Sequence, residues 1–174
     1  SIERLEPCEE TVLDGIRVIF KESKMEAALK FCAEVKKLGY KVFAQMVSVT
    51  TYTDEKLAEY AKLVNEVMPY ATSMVDTYGL LDEEHLCHIY GILDANLDPQ
   101  IRVGYHAHNN FQLGYANAKH FLSLDSERGL LADGTLYGMG KSAGNAPLEL
   151  LLMFRNDKQG AGYHVTQALE AIDN

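Results

Sequence analysis

The sequence predicts an α/β fold in which repeated strand–helix units build a parallel β-sheet. Two observations predict it. Short runs rich in β-branched and aromatic residues alternate with stretches whose apolar residues recur at helical spacing. Each apolar run is followed by a helical stretch, so that strands and helices alternate along the chain. Because parallel strands need long crossover connections, this alternation indicates a parallel sheet with helices as the crossovers.

Five strand–helix units can be assigned in order. The strand runs are dominated by residues that favour buried strands, and they cover residues 15–20, 41–47, 72–76, 101–108 and 130–136. The helices are predicted from apolar residues three and four positions apart, and they cover residues 25–38, 54–67, 82–93, 114–124 and 147–154. A final amphipathic stretch at 165–172 predicts an extra C-terminal helix.

Capping and breaking residues support the helix ends. Gly39 follows the first helix, where a glycine commonly ends one. Thr53 is a capping residue ahead of a pair of acids at the start of the second helix, and the acids Asp82, Glu83 and Glu84 start the third. Pro147 suits the first turn of the fifth helix, because the amide hydrogen that proline lacks has no partner there.

Periodicity alone leaves two architectures open, a doubly wound open sheet and part of a TIM barrel. A complete barrel of eight units takes about 250 residues, so five units fall short of closing one. With 174 residues, of which 47% are hydrophobic, the chain is long enough for one core. Residues 1–174 are therefore expected to form a single domain.

Composition limits the partners. The net charge of −9 argues against nucleic acid and against anionic membrane surfaces, which attract basic proteins. The three cysteines form no CxxC pair, so a disulfide framework is not expected, and a reducing, cytoplasmic location is predicted. No apolar run approaches the length of a membrane span. A small-molecule substrate fits these features best.

The histidine pair at the end of the fourth strand is the most informative motif. His106 and His108 are two residues apart, so in a strand both imidazoles point to the same face. Two neutral histidines in this arrangement supply half of a divalent-metal site, which a carboxylate and water would complete. The structural alternative is a pair of histidines satisfied by ordinary hydrogen bonds.

A glycine-rich segment follows the fifth strand. Gly138, Gly140 and Gly144 free the backbone to approach a ligand closely, and Asn145 can direct an amide oxygen at the metal. The spacing matches neither a dinucleotide nor a P-loop signature, so nucleotide binding is rejected. The glycines could also serve turn geometry alone.

The ends of the second and third strands supply weaker candidates. Asp76 and Thr77 lie where a strand meets its loop, the position that faces ligands in parallel α/β folds. An Asp that only caps the loop is an equal alternative. Gln45 and Ser48 belong to the same rim. The remaining histidines are assigned no role.

Three motifs in order, DTYG at 76–79, GYHAHNNFQLGYANA at 104–118 and ADGTLYGMGKSAGNAPLE at 132–149, are together specific. They resemble the HMG-CoA-lyase-like metal-dependent lyases, also described as DRE-TIM metallolyases or as pyruvate carboxyltransferase-like. This family includes HMG-CoA lyase and the isopropylmalate and homocitrate synthases. The resemblance is closest to the 4-hydroxy-2-oxovalerate aldolases, and it covers nearly the whole chain.

The resemblance implies a TIM barrel of which this chain supplies strands four to eight. By position, His106 and His108 match the two metal-binding histidines, and Asn145 matches the asparagine at or near the metal. Thr77 matches a position near the substrate carboxylate, with Asp76, Gly138 and Gly140 beside the substrate. The implied cofactor is Mn²⁺ or Mg²⁺, with Zn²⁺ as an alternative. The implied substrate is a 4-hydroxy-2-oxo acid, cleaved to pyruvate and an aldehyde.

Tyr137, next to the glycine-rich segment, is a candidate proton donor, and Glu149 is expected to be structural. The aspartate and arginine that the family carries on its first strand have no counterpart in this chain. We therefore expect a longer parent protein, in which the chain is one part of a lyase. The alternatives are a synthase that condenses an acyl-CoA with a 2-oxo acid, and an inactive fragment. Five units leave two open sheet edges, which predict a homo-oligomer.

Overall fold

A computed structural model describes residues 2–173 of the chain. Its five strands are all parallel and lie in the order of the sequence. They are β1 (Gly15–Phe20), β2 (Lys41–Val47), β3 (Ala71–Asp76), β4 (Arg102–Ala107) and β5 (Leu130–Asp133). The predicted α/β class is confirmed. A sheet whose spatial order equals its chain order is what successive crossovers in one direction produce, as in a barrel.

Six α-helices accompany the strands. They are α1 (Met25–Lys37), α2 (Asp54–Val67), α3 (Glu83–Asn96), α4 (Gly114–Leu122), α5 (Leu148–Gln159) and α6 (Val165–Asp173). The predicted cap at Thr53 is confirmed, since its side chain accepts the N–H of Lys56 at 3.3 Å. The third helix starts one residue later than predicted, and Asp82 caps it by accepting the N–H of His85 at 2.9 Å. Each satisfies one of the amide hydrogens that the first turn leaves without a partner.

The two faces of the sheet have different roles. Alternate strand residues such as Val42, Ala44 and Met46 on β2 are almost fully buried and belong to the hydrophobic core. Their neighbours on the opposite, concave face include buried polar residues, among them Gln45 and Ser73. Since side chains alternate across a strand, one face binds the helices and the other remains for polar groups.

The sheet is strongly curled. β1 and β5 stand at opposite ends of the strand order, yet the Arg17 guanidinium on β1 contacts the Asp133 carboxylate on β5 at 2.6 and 2.8 Å. Such a contact requires the concave face to close on itself, as the inner face of a barrel does. The sheet itself is not closed, so among the described residues it is a partial barrel with edges at β1 and β5.

Two of the predicted strands extend past the ends that the structure shows. β5 ends at Asp133 rather than at 136, because the chain turns at Gly134 against the start of α5, where an added Cβ would lie 3.0 Å from the Ala146 oxygen. Thr135 then pairs with Pro147, which precedes α5 instead of opening it. β4 ends one residue before His108, which forms an isolated bridge with the glycine-rich loop.

Within residues 2–173, no helix combines the length and the apolar character that crossing a bilayer would require. The cytoplasmic location and the single-domain organisation of residues 1–174 stay predictions.

Candidate metal site

The two histidines lie at the carboxyl-terminal edge of the sheet. His106 is the penultimate residue of β4 and His108 follows the strand end. Their ring centroids are 5.3 Å apart, and the ring planes are inclined by 59°. The spacing therefore places the imidazoles side by side on one edge, where two nitrogens can converge on a common ligand.

Both imidazoles are held through the same nitrogen. His106 Nδ1 lies 3.1 Å from Asp133 Oδ2, and His108 Nδ1 lies 3.3 Å from the carbonyl oxygen of Lys141. An ionised carboxylate and a carbonyl can only accept, so each Nδ1 donates. The proton is then on Nδ1, which leaves the Nε2 lone pair of each neutral ring for a metal.

Asn145 brings an amide oxygen to the same edge. It is buried, its amide nitrogen donates to the carbonyl of Met139 at 3.0 Å, and its backbone pairs with His108. Among residues 2–173, no hydrogen-bond donor reaches the buried Asn145 Oδ1. Leaving a buried acceptor unsatisfied costs about 1–3 kcal/mol, so an oxygen in this state is suited to an electropositive ligand.

The glycine-rich loop is shaped around Asn145. A Cβ on Gly140 would lie 2.3 Å from the side-chain amide nitrogen of Asn145. One on Gly138, where φ is +63°, would lie 2.9 Å from the backbone carbonyl oxygen of Asn145. These glycines are therefore required by contacts within the loop. Their predicted contact with substrate stays a prediction.

The side chains of Asp76 and Thr77, at the end of β3, form hydrogen bonds within the protein. Both oxygens of the buried Asp76 carboxylate accept loop amide hydrogens, from Leu80 and Leu81 at 3.0 Å each. Thr77 Oγ1 accepts the N–H of Ser48 at 2.8 Å. These bonds correspond to the loop-capping alternative for Asp76, and the substrate contacts predicted for Asp76 and Thr77 stay predictions.

Tyr137 lies at the rim, with 74% of its surface exposed. Its backbone is in the left-handed region at φ 54°, and its N–H donates to Glu149 Oε2 at 3.0 Å. The buried Glu149 carboxylate thus fixes the turn that carries Tyr137, which is a structural contact. The role of Tyr137 as a proton donor stays a prediction.

Asp133 and Arg17 are the residues that sequence reasoning missed. Asp133 is the direct register neighbour of His106, and its side chain is only 14% exposed. Burial would raise the pKa of Asp133, but the hydrogen bond from His106 and the charge of Arg17 outweigh it and hold this pKa below its ordinary value. Asp133 could have been identified from the sequence, because it is an acid at a strand end beside a glycine. No sequence feature marks Arg17, which lies on the edge strand farthest from Asp133.

The residues fit a divalent cation only as a partial set. His106 and His108 offer two nitrogens, and the orphaned Asn145 Oδ1 offers an oxygen. In the part of the chain that the structure describes, no group of three or more His, Cys, Asp or Glu side chains is placed to hold a metal ion. Asp133 does not complete the set, because its carboxylate contacts the Nδ1 side of His106.

Comparison with known proteins identifies relatives over most of the chain. The sequence model of the family described as HMGL-like matches residues 16–173. A 4-hydroxy-2-oxovalerate aldolase of Pelotomaculum thermopropionicum is 34% identical over 130 residues, 75% of this chain and 36% of the relative. An oxaloacetate decarboxylase of Mycobacterium tuberculosis is 28% identical over 141 residues, 80% of this chain and 40% of the relative. The chain thus spans well under half the length of these curated relatives.

Solved structures share the fold. The N-terminal domain of a candidate aldolase from Bacteroides vulgatus superposes with a TM-score of 0.79 at 21% identity, over 99% of this chain and 58% of that one. Hydroxymethylglutaryl-CoA lyase from Pseudomonas aeruginosa gives a TM-score of 0.74 at 15% identity, over 95% of this chain and 65% of that one.

Proposed function

Because the chain belongs to the HMGL-like family, we propose that it is part of a metal-dependent carbon–carbon lyase, an aldolase that cleaves a 4-hydroxy-2-oxo acid to pyruvate and an aldehyde. We rest the proposal on one observation. The Nδ1 atoms of both imidazoles face acceptors, which leaves Nε2 for a ligand, and the residue that bridges to His108, Asn145, has a buried amide oxygen that no donor among residues 2–173 reaches. The aldolase relative supports the substrate class, since its name states that chemistry.

His106 and His108 would bind the cation through Nε2, and Asn145 Oδ1 would bind it or a water on it. A bound divalent cation, Mn²⁺ or Mg²⁺ in our proposal, polarises the 2-oxo group and stabilises the charge that develops there. A general base, to which we assign no residue of this chain, takes the proton of the 4-hydroxyl as the bond between C3 and C4 breaks. The aldehyde leaves, and the electron pair of the broken bond becomes that of the pyruvate enolate, which is then protonated at C3. Tyr137, at the rim, is our candidate donor of that proton.

The described loops contribute an apolar rim. Tyr78, Phe111, Tyr137 and Met139 are large apolar or aromatic residues on the loops that follow β3, β4 and β5, and each is about half exposed or more. Loops after parallel strands gather at the carboxyl-terminal edge, which is the edge of the histidines. An alkyl aldehyde leaving the site would meet these side chains.

The test is pyruvate release. The whole protein that contains this chain, supplied with Mn²⁺ and 4-hydroxy-2-oxovalerate, is expected to release pyruvate in a coupled lactate dehydrogenase assay, and chelation of the metal is expected to stop the release. No pyruvate from any 4-hydroxy-2-oxo acid would contradict the proposal.

Oxaloacetate decarboxylation is a second candidate, because a relative of that name matches 80% of the chain. It also leaves a pyruvate enolate, so the same residues could serve it. Oxaloacetate in place of the hydroxy acid, with release of carbon dioxide measured above the metal-only rate, separates the two. Turnover that depends on an acyl-CoA would instead favour a condensing synthase.

We also propose that copies of this chain by itself pair through β1 and β5 in a homo-oligomer. Both are edge strands with unpaired backbone groups, and Ile19 on β1 is 66% exposed. Sedimentation equilibrium is expected to give a mass that is a multiple of the chain mass. A monomer at all concentrations up to about 100 μM, where weak contacts would be populated, would contradict this.

A further inference from the structure

The Asp133 carboxylate is the centre of a polar cluster on the concave face, which we call the Asp133 cluster: Asp133, Arg17, Gln45 and His106. Arg17 binds the carboxylate in a two-pronged contact, Nη1 to Oδ2 at 2.8 Å and Nη2 to Oδ1 at 2.6 Å. His106 Nδ1 meets the same Oδ2 at 3.1 Å, and Gln45 Nε2 lies 3.4 Å from it. The carboxylate on β5 is thus linked directly to β1, β2 and β4. It is linked to β3 through Gln45, whose amide nitrogen lies 3.5 Å from Ser73 Oγ.

We propose that Asp133, held in place by Arg17, is a positioning residue that fixes His106 as the Nδ1–H tautomer and aims its Nε2 at the metal. The metal part of this inference rests on the proposed function, whereas the tautomer part does not. A carboxylate behind a metal-binding histidine sets both the ring orientation and the nitrogen that carries the proton.

The contacts engage the two charged groups with each other. Arg17 donates to both oxygens of the Asp133 carboxylate, and His106 shares Oδ2 with it. A planar, two-pronged pair fixes a carboxylate in direction as well as in place, which a lysine cannot do.

His108 supplies an internal control. Its Nδ1 faces the backbone carbonyl of Lys141 and not a side chain. A change at Asp133 should therefore alter the tautomer of His106 and leave that of His108 as it is. A general loosening of the loops would alter both.

Asp133→Asn is the informative substitution because it keeps the size of the side chain. Arg17 offers only donors, so the oxygen of the new amide should stay with Arg17 Nη2 while its NH₂ faces His106, with loss of the Arg17 Nη1 contact. The NH₂ then donates to Nδ1, and the proton of the ring moves to Nε2, the nitrogen needed by the metal. An amide that replaces a histidine-orienting carboxylate is known to select the wrong tautomer while the geometry stays intact.

The experiment is long-range ¹H–¹⁵N NMR of the imidazoles in the metal-free protein, at a pH where they are neutral. We expect Nδ1–H for both histidines in the wild type, and Nε2–H for His106 alone in Asp133→Asn. Calorimetric titration with Mn²⁺ should show affinity about 10- to 100-fold weaker in the variant. Arg17→Lys, which keeps the charge, should give a smaller loss and serves if Asp133→Asn does not fold.

The matched control is Asp94→Asn. It neutralises the carboxylate of another Arg–Asp pair, in which Asp94 Oδ1 on α3 accepts from Arg128 Nε at 2.5 Å. We expect no change in either tautomer and an Mn²⁺ affinity within about twofold, a difference below 0.5 kcal/mol.

An unchanged His106 tautomer in Asp133→Asn, or equal changes at His106 and His108, would overturn the inference. If the tautomer changes as expected but the whole protein releases no pyruvate, the proposed function fails and the positioning role of Asp133 stands. If the whole protein releases pyruvate but the His106 tautomer is unchanged, the proposed function stands and the positioning role of Asp133 fails.

Discussion

Replacing His106 by alanine is expected to lower kcat/KM for pyruvate release by on the order of 10³-fold, equivalent to about 4 kcal/mol of transition-state stabilisation. The substitution removes one of the two nitrogen ligands that we propose for the cation. It also leaves the partly buried Asp133 carboxylate without its histidine partner. Steady-state kinetics of the whole protein at saturating Mn²⁺ measure the loss.

His120→Ala is the matched control for that variant. His120 lies on α4, where its ring contacts Cys87 Sγ at 3.3 Å and has no part in the candidate site. Its kcat/KM is expected to stay within about threefold of the wild type, less than 1 kcal/mol. A His106→Ala protein that retains more than about a tenth of the activity would show that the histidine is not needed for the reaction.

Replacing Gly144 by alanine is expected to cost about 3 kcal/mol of stability and to distort the metal site. Gly144 has φ +86°, a conformation that side chains disfavour, and an added Cβ would lie 2.2 Å from the backbone oxygen of Gly138. Its own carbonyl accepts the N–H of Asn109 at 2.9 Å, so the strain reaches the loop after β4 as well. Urea unfolding measures the free energy, and Mn²⁺ titration measures the site.

Gly160→Ala is the control that introduces backbone strain without steric overlap of the added Cβ. Gly160 also has a positive φ, +60°, but an added Cβ would meet nothing within 4 Å. Its cost is expected to be about 1 kcal/mol, with Mn²⁺ affinity unchanged. Equal destabilisation by both substitutions would contradict the overlap with Gly138 as the cause.

Local patterns were sufficient for the elements of the fold. The strand from Lys41 to Val47 was predicted to the residue, because its apolar run has polar or glycine neighbours at both ends. The cap at Thr53 could be predicted because capping depends on atoms three residues away. The end of β5 was missed, since it depends on contact between Gly134 and the start of α5, which sequence spacing does not reveal.

The candidate site was predictable in part for the same reason. His106 and His108 are two residues apart, so strand geometry alone placed them on one edge. The buried, unsatisfied oxygen of Asn145 depends on how the glycine loop folds over it. The Asp133 cluster could not be predicted from the sequence, because Arg17 and Asp133 are 116 residues apart and meet only when the sheet curls. Periodicity left the choice between an open sheet and a barrel undecided for the same reason, and the partial barrel that the family resemblance implied is confirmed.

We propose that His106, His108 and Asn145 hold a divalent cation. Calorimetric titration of the protein with Mn²⁺, beside the His106→Ala/His108→Ala double variant, is the most direct test. We expect one saturable site in the wild type that is lost in the double variant. Equal Mn²⁺ binding by both proteins, or no saturable binding by the whole protein that contains this chain, would contradict it.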